Sequence, residues 1–165
     1  MRQGSAIIDH AMSEEIVMDP LAVFKCVELF EGLSEEELDS VLGICHHRAY
    51  KTGDLITEQG QPGDELFVIQ EGFVEVLHSE SQTDTTPKAI VNLGRGQIVG
   101  EMALVDRGRR SATVRSISDE TMVQVIQRDD FDRLCDSNHH LGYTVMRNIA
   151  ADLSFKLRHS HLSNR

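Results

Sequence analysis

The sequence predicts an α+β, mainly β protein: an antiparallel β-roll of the jelly-roll type, flanked by N-terminal helices and two C-terminal helices. Three observations carry this. From His46 to Gln127 the apolar residues alternate with period two, in short runs broken by Gly53, Gly60, Gly63, Gly72 and Gly94. On both sides of that region the period changes to three and four. Seven or so strands this closely spaced suit antiparallel pairing, because parallel strands need crossovers of a dozen or more residues.

Residues 1–18 read as a loosely ordered leader, and 19–165 as one domain. Its first part, 19–45, holds the N-terminal helices. Asp19-Pro20 opens the first, with a capping side chain and then proline at the first helical position. That helix is expected to run through Phe30 and to stop at Gly32. Ser34 and Glu37 have capping-box spacing for a second helix, which sets Leu38, Val41, Leu42 and Cys45 on one face.

The roll occupies 46–127. Its strands lie in DLITEQG, DELFVIQEG, FVEVLHSE, KAIVNLG, SATVRSI and TMVQVIQ, with the polar run SQTDTTPK as a hairpin loop. The last part, 128–165, returns to helix. Asp129 and Asp130 suit a helix start, with Phe131 and Leu134 on its apolar side. A second helix is expected from about residue 140 to about 158. In it Leu141, Val145, Ile149, Leu153 and Leu157 recur every four residues, and Met146 and Ala150 widen the stripe. That stripe offers a surface for a homodimer, with a helix folded back on its own roll as the rival.

Composition narrows the function. The chain has 165 residues, 40% of them hydrophobic, and a formal net charge of −11. No apolar run approaches the roughly 18 residues of a membrane span. The N-terminal MRQGSAIIDH lacks the apolar segment of a secretory signal. Cys26, Cys45 and Cys135 are odd in number and widely spaced, so they read as buried thiols of a reducing compartment. These features indicate a cytoplasmic protein that has no membrane partner. The acidic balance argues against nucleic acid, whose phosphates call for clustered cations.

One stretch breaks the acidic pattern. Residues 95–115 hold five arginines against Glu101 and Asp106, a local +3 that leaves −14 for the rest. Within it, GEMALVDRGRRSATV (100–114) places a glycine before a short helical pattern, where free N–H groups suit an anion. Arg110 adds a planar fork of donors. Ser111 and Ala112 are small enough for close approach. Glu101 repels an anion but accepts from hydroxyls. An anion beside a hydroxyl describes a sugar phosphate, most simply a nucleotide. The structural alternatives are an Arg110–Asp106 surface pair and a Glu101 that only stabilises its helix start. Arg107 and Arg109 read as solvated charges, and the glycines of 53–72 as turn formers.

VGEMALVDRGRRSATVRS (99–116) resembles the phosphate-binding cassette of cyclic nucleotide-binding domains, a family that includes the catabolite activator protein, protein kinase A regulatory subunits and cyclic-nucleotide-gated channels. EQGQPGDELFVIQEGFVEV (58–76) resembles the same family's glycine-punctuated strands, and LFEGLSEEELDSV its N-terminal side. The resemblance covers about residues 20–160, with the cassette at 99–114. It departs at Thr57, where the family prefers an aliphatic residue, and at Arg109, where some members carry proline.

The resemblance implies a cyclic nucleotide as ligand and no other cofactor. It implies that Glu101 accepts the ribose 2′-hydroxyl and that Arg110 pairs with the cyclic phosphate. Gly100, Met102, Ala103 and Ala112 would supply backbone donors or close approach. Ser111 stands where threonine is frequent in cyclic GMP binders and alanine or serine in cyclic AMP binders, which favours cyclic AMP. Phe155, Lys156 and Arg158, with Leu157, lie where family members place a lid over the base.

The function so implied is a stand-alone sensor, not an enzyme, that signals through its C-terminal helices to an effector protein. A catabolite-activator-type transcription regulator would need a helix-turn-helix after the long helix, so that reading requires the chain to be a fragment. A third reading keeps the fold as an interaction module with no ligand; intact Glu101 and Arg110 speak against it. Bond-breaking chemistry lacks a nucleophile–base set. The histidine pairs 46/47, 139/140 and 159/161 lie outside any strand set that would converge on a metal, so none is expected.

Overall fold

Asp19 accepts from the Leu21 N–H and Pro20 occupies the first turn, so the chain enters helix α1 (Pro20–Phe24) as its sequence dictates. The helix then ends early. A separate 3₁₀ turn, Glu28–Phe30, follows before Gly32 turns the chain at φ +92°. One straight helix would put Leu29 on the far side from Val23, Val27 and Phe30. The break lets Val23, Phe24, Val27, Leu29 and Phe30 all be buried. Helix α2 (Glu35–Gly43) carries the full capping box, with Ser34 and Glu37 bonded reciprocally at 3.2 and 2.9 Å.

The computed structural model describes residues 18–163 apart from 82 and 84, so the expected leader lies almost wholly outside the described residues. Eight strands follow α2: β1 (His46–Tyr50), β2 (Leu55–Thr57), β3 (Glu65–Glu71), β4 (Val74–His78), β5 (Lys88–Leu93), β6 (Ile98–Val99), β7 (Thr113–Ser116) and β8 (Thr121–Gln127). They form two four-stranded antiparallel sheets, ordered β1-β8-β3-β6 and β2-β7-β4-β5. The two-residue β6 is too short to show a period, which is why its pattern is absent from the sequence.

Strand β3 explains how the layers stack. Its alternate residues Phe67 and Ile69 pack between the sheets with Val74, Val99, Val114, Val123 and Val125. Leu66 and Val68 face the other way, into a second cluster formed with the helices. Both faces are covered, so ELFVIQE reads as a nearly continuous apolar run.

Helix α3 (Arg128–Ser137) and helix α4 (His139–Ser163) close the helical side. Leu141, Val145 and Ile149 are at most 1% exposed, packed against α3 and the 3₁₀ turn of 28–30 in one core cluster with residues of α1 and α2. The stripe is therefore covered by the chain itself as far as Ile149. Leu153 is half-buried and Leu157 is 61% exposed. The Asn148 side chain amide ties α4 to that turn, donating to the carbonyls of Leu29 and Glu31 at 2.9 and 2.8 Å.

The thiols differ from the expectation in one case. Cys45 and Cys135 are partly buried, with thiols pushed up by desolvation to about 12 and about 11, but Cys26 is exposed. The early end of α1 leaves it outside the buried stripe.

Truncating the stripe should separate its two halves. Ile149→Ala is expected to cost about 2–5 kcal/mol of folding stability, the range for an emptied core site. Leu157→Ala should cost under about 0.5 kcal/mol, as at an exposed surface position. Urea titrations followed by circular dichroism measure both, and equal losses would contradict the burial pattern.

Candidate functional site

Gly100 adopts φ +84°, a left-handed conformation that favours glycine, and caps the 3₁₀ turn Glu101–Leu104. The turn presents Glu101 and Met102, and buries Ala103 and Leu104. Inside it the Ala103 N–H donates to the Gly100 carbonyl at 3.0 Å. Asp106 turns back on itself, accepting from the Gly108 N–H at 2.9 Å. It is therefore engaged locally, and Arg110 forms no ion pair with it.

Arg110 is the centre of the site. Its backbone is held from both sides by the loop after β2: its N–H donates to the Gln61 carbonyl at 2.8 Å, and its carbonyl accepts from Gly60 at 2.9 Å. Its guanidinium lies 5.6 Å from the centre of the Phe67 ring and donates through Nη1 to the Glu65 carbonyl at 2.8 Å. Desolvation lowers its pKa, opposed by the charges of Glu65 and Asp64.

Two glycines make room for this side chain. A Cβ on Gly63 would stand 2.0 Å from Arg110 Nε, and one on Gly100 would stand 2.6 Å from Nη1. Gly63 has no left-handed φ, so space is what it supplies. The turn-former reading of Gly63 is thus incomplete; its second role appears only once the chain is folded.

Of the five arginines in 95–115, Arg115 alone forms an ion pair among the described residues, with Glu75. Arg109 reaches the Gly60 carbonyl at 2.9 Å, and Arg95 the Gln70 carbonyl at 3.1 Å. Arg110 is the one whose charge is half-buried beside the turn without a carboxylate partner.

An open cavity of about 1650 Å³ joins these parts. The sequence-predicted residues Gly100, Glu101, Met102, Ala103, Arg110, Ser111 and Ala112 all line it, as do Phe155, Lys156 and Leu157. Arg158 does not; it points outward from the end of α4. Val76 on β4, with Ile90 and Leu93 on β5, forms an apolar wall. Lys156 bonds Glu101 Oε1 at 2.7 Å and Asp152 Oδ2 at 2.8 Å. Burial works against its charge, but these two carboxylates outweigh it and raise its pKa. Phe155 stacks on His159 at 3.9 Å.

Several supports escaped the sequence. Thr57 is buried and donates to the Ala112 carbonyl at 3.1 Å, which gives that departure from the family pattern a fastening role. The His78 ring nitrogen Nδ1 lies 3.2 Å from the Ser111 carbonyl. Gln59 pairs both its amide atoms with Ser79 at 3.0 and 2.9 Å and takes the Thr113 hydroxyl on its N–H. Arg128, at the start of α3, donates to the carbonyls of Ala103 and Asp106 at 3.3 and 3.0 Å. Each partner lies 20 or more residues away, beyond any local spacing. No three His, Cys, Asp or Glu side chains come together as a metal site among the described residues, and no described helix is long and apolar enough to cross a membrane.

The chain matches the family model described as "Cyclic nucleotide-binding domain" over residues 47–138. It is 33% identical over 134 residues to the cyclic AMP receptor protein of Thermus thermophilus, covering 81% of this chain and 59% of that one. It is 28% identical over 136 residues to the cGMP-dependent protein kinase, isozyme 1, of Drosophila melanogaster, covering 78% of this chain but 18% of the kinase. The crystal structure of the Thermus thermophilus catabolite activator protein superposes with a TM-score of 0.73 at 32% identity, over 82% of this chain and 61% of that one. The chain thus spans less than two thirds of each of these proteins.

Arg128 ties the cassette to the start of α3, which a substitution can test. Arg128→Met should speed amide hydrogen exchange across residues 101–106 by about tenfold, the loss of about 1.4 kcal/mol of local stability. Unchanged exchange there would show that the turn stands without this anchor.

Proposed function

The chain belongs to the cyclic nucleotide-binding domain family, and we propose that it is a cytoplasmic, non-catalytic sensor whose cassette binds a cyclic nucleotide, cyclic AMP in preference to cyclic GMP. The observation that carries the reading is Arg110: a half-buried guanidinium without a carboxylate partner, held beside Glu101 in one cavity. Such a cation is prepared for an anion, and the planar fork matches two phosphate oxygens. Glu101 accepts from the ribose hydroxyl, while Met102 and the apolar wall of Val76, Ile90 and Leu93 receive the base. The cassette binds without breaking bonds. Relatives described as a cyclic AMP receptor and a cGMP-dependent kinase support the ligand class and leave the base open.

The signal passes to the C-terminal helices, because the cassette touches them through Arg128 and Lys156. Phe155 and Lys156 act as a lid on the empty cavity, which they line, and an effector protein reads the pose of α4. A homodimer through α4 would use Tyr143, Ala150 and Leu157, which are exposed. It would not use Ile149, which is only 1% exposed.

Calorimetric titration with both nucleotides tests the reading. Arg110→Ala should cost about 2–5 kcal/mol of binding, the loss on truncating one partner of a desolvated charge pair, or about 30-fold to several thousand-fold. Arg107→Ala should cost less than about 1 kcal/mol. Gly63→Ala, which displaces the guanidinium, should weaken binding about tenfold or more, about 1.4 kcal/mol, with an unchanged melting temperature. Silence of the unsubstituted protein toward both nucleotides would leave an interaction module.

Base selection has its own test. Ser111→Thr should raise the affinity for cyclic GMP relative to cyclic AMP, since a β-branched hydroxyl is better fixed toward the guanine amino group. An unchanged ratio of the two dissociation constants would remove Ser111 from base selection.

A further inference from the structure

The carboxylate assigned to the sugar already has a partner. Lys156 Nζ lies 2.7 Å from Glu101 Oε1, reaching it from α4 across 55 positions of sequence. The same ammonium meets Asp152, one turn earlier on the helix, at 2.8 Å. The Glu101 side chain is 13% exposed, so little of the carboxylate faces outward. Lys156 and Glu101 both line the cavity a ligand would enter. An ammonium and an incoming hydroxyl are both donors, and here they seek one small acceptor surface.

The contact also acts at a distinctive place on the helix. As far as Ile149, α4 is fixed by buried side chains and by Asn148. Past Leu153 its described apolar side chains, Phe155 and Leu157, are each 61% exposed. The Lys156–Glu101 pair therefore joins the part of α4 with least packing to the part of the cassette that meets the ligand.

We propose that Lys156 is an internal competitor of the ligand. With the site empty it holds Glu101 and keeps the end of α4 against the cavity. A ribose hydroxyl that takes Glu101 displaces the ammonium and releases residues 154–163. The inference rests on the nucleotide reading above and gives that reading a direction of response. Ligand and latch oppose each other reciprocally, each weakening the other by the same factor. A ligand shifts a helix only through such a difference between its two poses.

The test uses Lys156→Met, which keeps an unbranched apolar stem and removes the charge, with Lys156→Gln as a second variant at this half-exposed position. Calorimetric titration with cyclic AMP and cyclic GMP should show binding about 3- to 30-fold tighter than in the unsubstituted protein, about 0.7–2 kcal/mol. The gain should vanish with a 2′-deoxy cyclic nucleotide, which has no hydroxyl to compete, and in a Glu101→Ala background, where there is no acceptor to compete for. Hydrogen exchange of residues 154–163 in ligand-free Lys156→Met should match that of the unsubstituted protein saturated with nucleotide. Equal or weaker binding by both variants, with Arg110→Ala still abolishing it, would overturn the competition and leave the nucleotide reading in place. Binding by none of the proteins would overturn the nucleotide reading itself.

Discussion

The site depends on holding one guanidinium half out of water without giving it a counter-ion. Burying a charge is costly, and a carboxylate at Arg110 would be the ordinary remedy. It would also neutralise the guanidinium. The chain instead satisfies Arg110 with neutral or diffuse partners, the Glu65 carbonyl and the face of Phe67. The nearby Glu65 carboxylate is engaged elsewhere, bonded to Arg48 at 3.1 Å and to Gln127 at 2.6 Å. Gly63 and Gly100 supply the volume that this arrangement requires.

The roll serves that arrangement. Strand β3 contributes the Glu65 carbonyl at its edge and Phe67 on its inner face, while its other face buries Leu66 and Val68 under the helices. Cassette and helices are thus mounted on opposite faces of one strand. Thr57, Gln59 and His78 then fasten the segment around Ser111 and Thr113 to β2 and β4. Local propensity hardly enters; a segment with a four-residue 3₁₀ turn keeps its shape through these distant partners.

How much of this was legible in the sequence depends on how far apart the interacting residues lie. Both helix caps are local, within three residues, and Asp19 and Ser34 perform as their spacing predicts. The strand pattern is local too, and eight strands in two antiparallel sheets match the expected roll. The cassette's lining residues were legible as a contiguous stretch. Hidden were the break after Phe24, where tertiary burial of Leu29 overrides helix continuity, and β6, which is too short to have a period. Hidden as well were the contacts of Gly63, Thr57, His78 and Arg128, each joining segments 20 or more residues apart. The apolar stripe of α4 was read correctly as a stripe but not as two halves. Its first half finds its cover on α3 and the turn of 28–30, positions set by the fold.

Those two halves make α4 a lever with its fulcrum at Asn148. The amide grips the carbonyls of Leu29 and Glu31, so rotation there is resisted by two hydrogen bonds and the core behind them. The arm beyond, to Ser163, is about 20 Å long at 1.5 Å per residue. A tilt of about 10° at the fulcrum would carry its tip about 4 Å. Most of that travel would occur where the helix buries least, so the displacement disturbs little of the core. The mechanical advantage lies in where the packing stops: a helix ending near Leu153 would have almost nothing to move.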